Sequence, residues 1–263
     1  MVYEFFGLTD TGRLRSNNED AIACEPEIGL AVLADGMGGY QAGEVASAMA
    51  TGTVSSALGS WLLTHGPKTS SREIGLAMRL SVDRANLAIH QAAIDNSEFT
   101  GMGTTLVVAV FSGGRALVGH VGDSRCYRWR DGRLEQLTRD HSLLQEQVDA
   151  GVLSPQQAEL APHRNLVTRA LGVETEVVLD VGEHAVLPGD LYLLCSDGLT
   201  DMLRHEGLIA CLGRHGSQDA LQQLGQDLVD AANEAGGKDN ISVIVVRAAG
   251  GHKRGLLSRL WGR

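Results

Sequence analysis

Short apolar runs bounded by glycine and aspartate punctuate this chain: Leu30–Ala34, Thr104–Val110, Ala116–Val121, Leu191–Cys195 and Ile241–Val246. They are too short for helices of ordinary length and read as buried β-strands. Two longer segments carry a different period. Glu44–Leu63 is rich in alanine, and Ser71–Ala93 sets Ile74, Ala77, Met78, Ser81, Ala85, Ala88 and Ala92 on one stripe of helical spacing. Asp131-Gly132, between Arg125–Arg130 and Arg133–Thr138, predicts a hairpin turn.

The predicted order is strands, a helical pair, several strands, a mixed segment, strands, a helix and a final strand. Strands do not alternate regularly with helices, which disfavours a doubly wound parallel sheet and favours α+β layers. No repeat and no Pro- or Ser-rich linker divides the chain, so one domain is expected over residues 1–248, followed by a short basic tail over 249–263.

Composition changes the picture in three ways. Of the 263 residues 43% are hydrophobic but only 4% aromatic, so the core rests on Leu, Val, Ala and Ile. The net charge of −10 argues against a nucleic-acid partner. It is compatible with a phosphorylated substrate where bound cations reverse the local field. Cys24, Cys126, Cys195 and Cys211 are dispersed, with no CxxC pair. Together with an N-terminus that lacks a basic stretch followed by a long apolar run, this predicts reduced thiols in a cytoplasmic protein. No stretch approaches the ~20 apolar residues of a membrane span.

The chemistry lies in the aspartates. Arg15-Ser16-Asn17-Asn18-Glu19-Asp20, Asp35-Gly36-Met37-Gly38-Gly39, Gly122-Asp123-Ser124-Arg125, Ser196-Asp197-Gly198 and Lys238-Asp239-Asn240 recur along the chain, mostly where an apolar run meets a turn. One Asp-Gly after a strand is an ordinary turn. Several strand-end carboxylates brought together form a cage of hard oxygens suited to Mg²⁺ or Mn²⁺.

Taken in order over residues 5–246, these motifs resemble the PP2C-type (PPM) metal-dependent protein phosphatases, in their compact bacterial branch. Asp10-Thr11-Gly12, Gly43-Glu44-Val45-Ala46, Gly103-Thr104-Thr105-Leu106, Asp140-His141-Ser142, Arg169-Ala170-Leu171-Gly172 and Asp239-Asn240 add to the likeness. The resemblance implies a four-layer α-β-β-α sandwich with two central antiparallel sheets and the metals at one edge. It implies that Asp35 bridges two ions, that the Gly36 carbonyl helps bind the second, and that Asp197 and Asp239 complete the first. Glu19 reaches the second ion through water, Asp20 supports it from behind, and Asp123 with Asp197 holds a third, weaker ion. Arg15 grips the substrate phosphate, as its planar fork suits.

The implied reaction is hydrolysis of phosphoserine or phosphothreonine on proteins by a metal-activated water. It opposes a bacterial Ser/Thr kinase, in a monomer. No Cys-x5-Arg arrangement is present for a covalent alternative. Met37 stands where many eukaryotic relatives carry a histidine proposed as general acid, leaving metal-bound water, His141 or His163 as the proton donor. Thr138–Gly172 resembles the substrate-contacting flap of bacterial members, with a helix cap at Asp140-His141-Ser142. The tail, with Lys253, Arg254, Arg259 and Arg263 among Leu256, Leu257, Leu260 and Trp261, reads as a frayed terminus or a short amphipathic anchor. A non-catalytic phosphoprotein-binding module and a phosphatase of small metabolites are the competing readings. The first is disfavoured because Glu19, Asp35, Asp197 and Asp239 are all present.

Overall fold

The computed structural model describes residues 1–39, 42–66, 68–154, 157–158, 166–214 and 220–250. The tail beyond residue 250, His163 and most of residues 155–165 of the expected flap segment lie outside these residues. The first sheet has the order β1 (Val2–Asp10), β11 (Ile241–Ala249), β10 (Leu191–Cys195), β7 (Arg125–Arg130), β8 (Arg133–Gln136). The second runs β2 (Asp20–Glu25), β3 (Leu30–Met37), β5 (Leu106–Ser112), β6 (Arg115–Val121), β9 (Asp180–Ala185), with the short β4 (Gly103–Thr104) also paired to β3. Neighbouring strands are antiparallel throughout.

Helices α1 (Ala42–His65) and α2 (Ser71–Asp95) cover the second sheet, while α5 (His205–Arg214) and α6 (Leu221–Glu234) cover the first. This layering explains the apolar runs. Along β3, Leu30, Val32 and Ala34 pack with α1 and α2, while Ala31 and Leu33 pack between the sheets. Along β11, Ile241, Val243 and Val245 meet α6, and Ile244, Val246 and Ala248 fill the inter-sheet layer. A strand covered on both faces has no solvent-facing positions for polar residues. Each fully buried Val, Leu or Ile contributes about 1.5–3 kcal/mol of transfer free energy.

The stripe on α2 holds through Ile74, Ala77, Met78, Ser81 and Ala85, then drifts: Ile89 is buried and Ala88 only half-buried. The helix starts at a capping box in which the Ser70 hydroxyl accepts the Glu73 amide at 3.3 Å and Glu73 returns to Ser70. Before β11 the described residues form two full helices, α5 and α6, besides a single helical turn after β10, where one helix is expected from the sequence. β1, β2 and β9 are absent from the predicted strands, and all three are sheet edges.

The Asp131-Gly132 hairpin joins β7 to β8, with Asp131 at φ 49°. The segment after β8 opens on helix α3 (Leu143–Asp149), capped by Ser142, whose hydroxyl accepts the Gln145 amide at 3.3 Å. Because the strands are antiparallel, the carboxyl ends of β3, β6 and β10 and the amino ends of β2 and β11 fall along one edge of the sandwich.

Candidate active site

That edge collects the aspartates. Asp35 lies near the end of β3 and directly opposite Asp20, the first residue of β2. Asp123 follows β6, Asp197 opens the single turn α4 (Asp197–Thr200) after β10, and Asp239 precedes β11. Backbone bonds fix Asp35 in place: its amide donates to the Thr105 hydroxyl at 3.1 Å, and its carbonyl accepts the Thr105 amide and the Thr104 hydroxyl, both at 2.8 Å.

Cross-sheet bonds hold the two edges together. The Asn240 side chain accepts the Glu19 amide at 2.8 Å and donates to the carbonyls of Thr11 at 3.0 Å and Asn17 at 2.8 Å. Asn240 thereby ties the Glu19 loop to the start of β11. Ser196 donates to Asp20 Oδ2 at 2.8 Å, and the Thr105 and Ser124 hydroxyls meet at 2.7 Å. Asn240 is visible in the sequence only as a neighbour of Asp239; nothing local marks Ser196 or Thr105 as partners.

Backbone crowding makes two glycines obligatory. A Cβ on Gly36 would run into the carbonyls of Gly43 and Glu19, and one on Gly198 into the Asn240 carbonyl. These are main-chain atoms that cannot swing aside. Gly36→Ala is therefore expected to displace Asp35 or Glu19 and to abolish activity in a protein that still folds. Circular dichroism with a turnover assay checks this, and an active Gly36→Ala enzyme would contradict the packing.

The electrostatics are severe. Burial, followed by the charges of Asp20, Asp197, Asp123 and Asp239, holds the Asp35 carboxyl well above the usual range. Asp197 is raised in the same way, by burial and then by Asp123, Asp201 and Asp239. Burial pushes Asp20 up to about 6 despite the Ser196 bond, and its Oδ1 is buried without a hydrogen-bond partner. Asp123 is pushed up to about 6 by burial and by Asp140, with Arg125 opposing.

Arg15 supplies a cation here, donating to Asp239 Oδ2 at 2.6 Å with its own side chain half-exposed. Glu19 accepts the Asn17 side chain at 3.0 Å and lies against Gly43 in the first turn of α1. Desolvated, mutually repelling oxygen donors and one orphaned carboxylate oxygen are the donor set that hard divalent cations neutralise.

The structure therefore brings Arg15, Glu19, Asp20, Asp35, Gly36, Asp123, Asp197 and Asp239 to one edge. Among the described residues, three ligating atoms within 4.8 Å of one another occur elsewhere, at His120, His141 and Asp180. His141 does not suit the role of general acid. Its Nδ1 accepts the Gly122 amide at 3.1 Å and its Nε2 faces Asp180 Oδ2 at 3.0 Å, so both ring nitrogens are occupied. Beside the aspartates, a cavity of about 530 Å³ opens between α3 and α5, lined by Asp123, Arg125, Gln145, Asp197, Asp201 and Arg204 among others.

Comparison with known proteins agrees with this geometry. The family model described as "Protein phosphatase 2C" matches residues 13–242. The serine/threonine phosphatase stp of Listeria welshimeri is 37% identical over 241 residues, covering 90% of this chain and 93% of the relative. The crystal structure of the Mycobacterium tuberculosis serine/threonine phosphatase PstP/Ppp superposes with a TM-score of 0.83 at 35% identity, covering 95% of this chain and all of that one. A structure of the PstP catalytic domain in complex with two manganese ions has a TM-score of 0.81 at 34% identity, covering 95% of this chain and 99% of that one. The four-layer arrangement and the strand-end aspartates thus have a common explanation: the chain belongs to the protein phosphatase 2C family.

Proposed function

We propose that this protein hydrolyses phosphoserine and phosphothreonine on proteins at a centre for two Mn²⁺ or Mg²⁺ ions. The observation that carries the proposal is the set of desolvated carboxylates gathered from both sheets at one edge. Such a cluster is unfavourable alone and becomes favourable when divalent cations occupy it. Asp35, Asp197 and Asp239, with Glu19 and the Gly36 carbonyl, are the residues that would hold the pair. Asp123 with Asp197 would hold a weaker third ion, and Asp20 supports Asp35 across the β2–β3 pairing. When bound, the ions supply the positive charge that ionises a water for in-line attack on phosphorus.

The chain's own residues do the rest. Arg15, on the exposed side of the cluster, presents its guanidinium to the phosphate oxygens, exchanging its bond to Asp239 for a charge-assisted pair with substrate. Thr104, Thr105 and Asn240 hold the strand ends rigid, so that little reorganisation accompanies charge development. The cavity between α3 and α5 receives the polypeptide around the phosphorylated residue. A thiol nucleophile is disfavoured: Cys126, Cys195 and Cys211 are buried, and burial pushes the Cys24 thiol up to about 11 and the Cys195 thiol up to about 12.

The substrates are phosphorylated proteins, and the protein opposes a bacterial Ser/Thr kinase as a cytoplasmic monomer, with residues 1–248 as one catalytic domain. No helix among the described residues is long and apolar enough to cross a membrane.

Purified protein is expected to release phosphate from phosphoserine and phosphothreonine peptides with Mn²⁺ or Mg²⁺, and to lose this activity with a chelator. Full turnover by the metal-stripped protein would refute the reading. Faster turnover of free phosphometabolites than of phosphoproteins would redirect it to a small-molecule phosphatase.

A further inference from the structure

His141 sits at the junction of three elements, and its contacts are unusually complete. Its amide donates to the Gly122 carbonyl at 2.9 Å, and its Nδ1 accepts the Gly122 amide at 3.1 Å. One residue therefore holds both the amide and the carbonyl of Gly122, in the two peptide units on either side of its α-carbon, the second of which leads into Asp123. Because Nδ1 accepts an amide proton, the ring proton must reside on Nε2, which donates to Asp180 Oδ2 at 3.0 Å. Burial holds the His141 imidazole below its usual value, consistent with this neutral form.

Asp180, the first residue of the edge strand β9, is thus linked through one imidazole to the turn after β6. The ring also stacks on His120, with centroids 4.7 Å apart and planes 18° from parallel. His120 Nε2 lies 2.7 Å from the Arg139 carbonyl.

The same residue closes the segment that follows. Its carbonyl accepts the Thr168 amide at 2.9 Å, and Leu143 donates to the Leu166 carbonyl at 2.9 Å. The outgoing and returning ends of the segment are therefore tied at His141. On its other side, Asp140 takes a two-pronged bond from Arg125, with Nη2 at 2.6 Å and Nε at 3.0 Å.

Gly122 needs such restraint. It adopts φ 98°, and a Cβ there would lie 2.7 Å from the Thr105 side chain. A backbone in that region has few local reasons to hold one orientation.

The spacing of His120, His141 and Asp180 also resembles a cation site. The bonds argue otherwise: His120 Nε2 and both His141 nitrogens are already engaged, and Arg169 Nη1 lies 3.1 Å from His141 Nε2, where a cation would have to sit.

We propose that His141 is a positioning residue, which, held by Asp180, clamps the Gly122 backbone through its amide and its carbonyl and so sets the Asp123 carboxylate against the segment that begins at α3. This rests on the reading of Asp123 as a ligand of the weaker ion. Outer partners that orient a ligand are typically worth about 10–100-fold in metal affinity.

Three variants of the full chain test it: His141→Phe, which keeps a ring against His120 but has no acceptor; His141→Asn, whose Oδ1 stands where Nδ1 does; and Asp123→Asn as reference. Calorimetric Mn²⁺ titration of His141→Phe is expected to weaken the weakest binding step by about 10-fold or more. The tighter steps stay unchanged, and amide exchange at Gly122 accelerates. On a phosphopeptide, kcat falls more than KM rises. His141→Asn recovers the Gly122 protection and most of the weak step; if His141→Phe does not fold, His141→Asn set against Asp180→Ala carries the comparison.

Unchanged Gly122 exchange and an unchanged weak step in His141→Phe, with that step lost in Asp123→Asn, overturn the clamp alone. Retention of the weak step in Asp123→Asn overturns the ligand reading and the inference with it.

Discussion

Replacing Asp35 by asparagine is expected to abolish turnover, by on the order of 10³-fold or more in kcat/KM, while raising the stability of the metal-free protein. The two effects have opposite sign for one physical reason. Asp35 is buried among Asp20, Asp197, Asp123 and Asp239, which together hold its carboxyl well above the usual range. A charge in that position is tolerated because it is needed to bind cations, and it costs stability whenever they are absent. Asparagine has nearly the same shape and keeps the backbone bonds from Thr104 and Thr105, but it removes the repulsion. It is also a poor bridge between two divalent ions. A phosphopeptide assay with saturating Mn²⁺, paired with urea denaturation in chelator, reads both effects. An Asp35→Asn enzyme that keeps a tenth of the activity would remove Asp35 from the centre. A variant merely less stable than the parent would reduce the loss to misfolding.

The stabilisation conferred by Mn²⁺ is expected to grow as pH rises from 5 to 8. Burial raises Asp20 and Asp123 from 3.8 to about 6, with Asp35 and Asp197 also raised. The folded metal-free chain therefore binds more protons than the unfolded one over this range. Such groups contribute stability that is complete below their unfolded value and is lost as pH rises through the folded one.

His141 and His184, both lowered by burial, pull the other way. They do so in metal-free and metal-loaded protein alike, so the difference between the two melting curves isolates the carboxylates. Because protons compete with the ions for the same oxygens, that difference should widen by on the order of 10 °C across the range. Differential scanning calorimetry at several pH values, with chelator and with Mn²⁺, measures it. A gap that stays constant or narrows toward pH 8 would mean the carboxylates are not what the metal neutralises.

The interior strands are legible in the sequence because β3, β5, β6, β10 and β11 are covered on both faces, leaving uninterrupted apolar runs. The edge strands are not. β1, β2 and β9 each have one neighbour and half-exposed faces, so Asp180-Val181-Gly182-Glu183-His184-Ala185 carries no apolar run to betray it. The aspartates were legible because each sits at a strand end beside a turn, a local signature that repeats along the chain. Which carboxylate opposes which was a matter of register: Asp20 meets Asp35 only because β2 pairs with β3 in one alignment.

The supporting bonds belong wholly to the tertiary structure. Asn240 bonds to Asn17 across 223 positions, Ser196 to Asp20 across 176, and His141 to Asp180 across 39. Residue identity along a chain records what a side chain can do. Hydrogen-bond partners and the mutual repulsion of charges depend on separation in space, and only the packing of one sheet on the other brings these groups within reach.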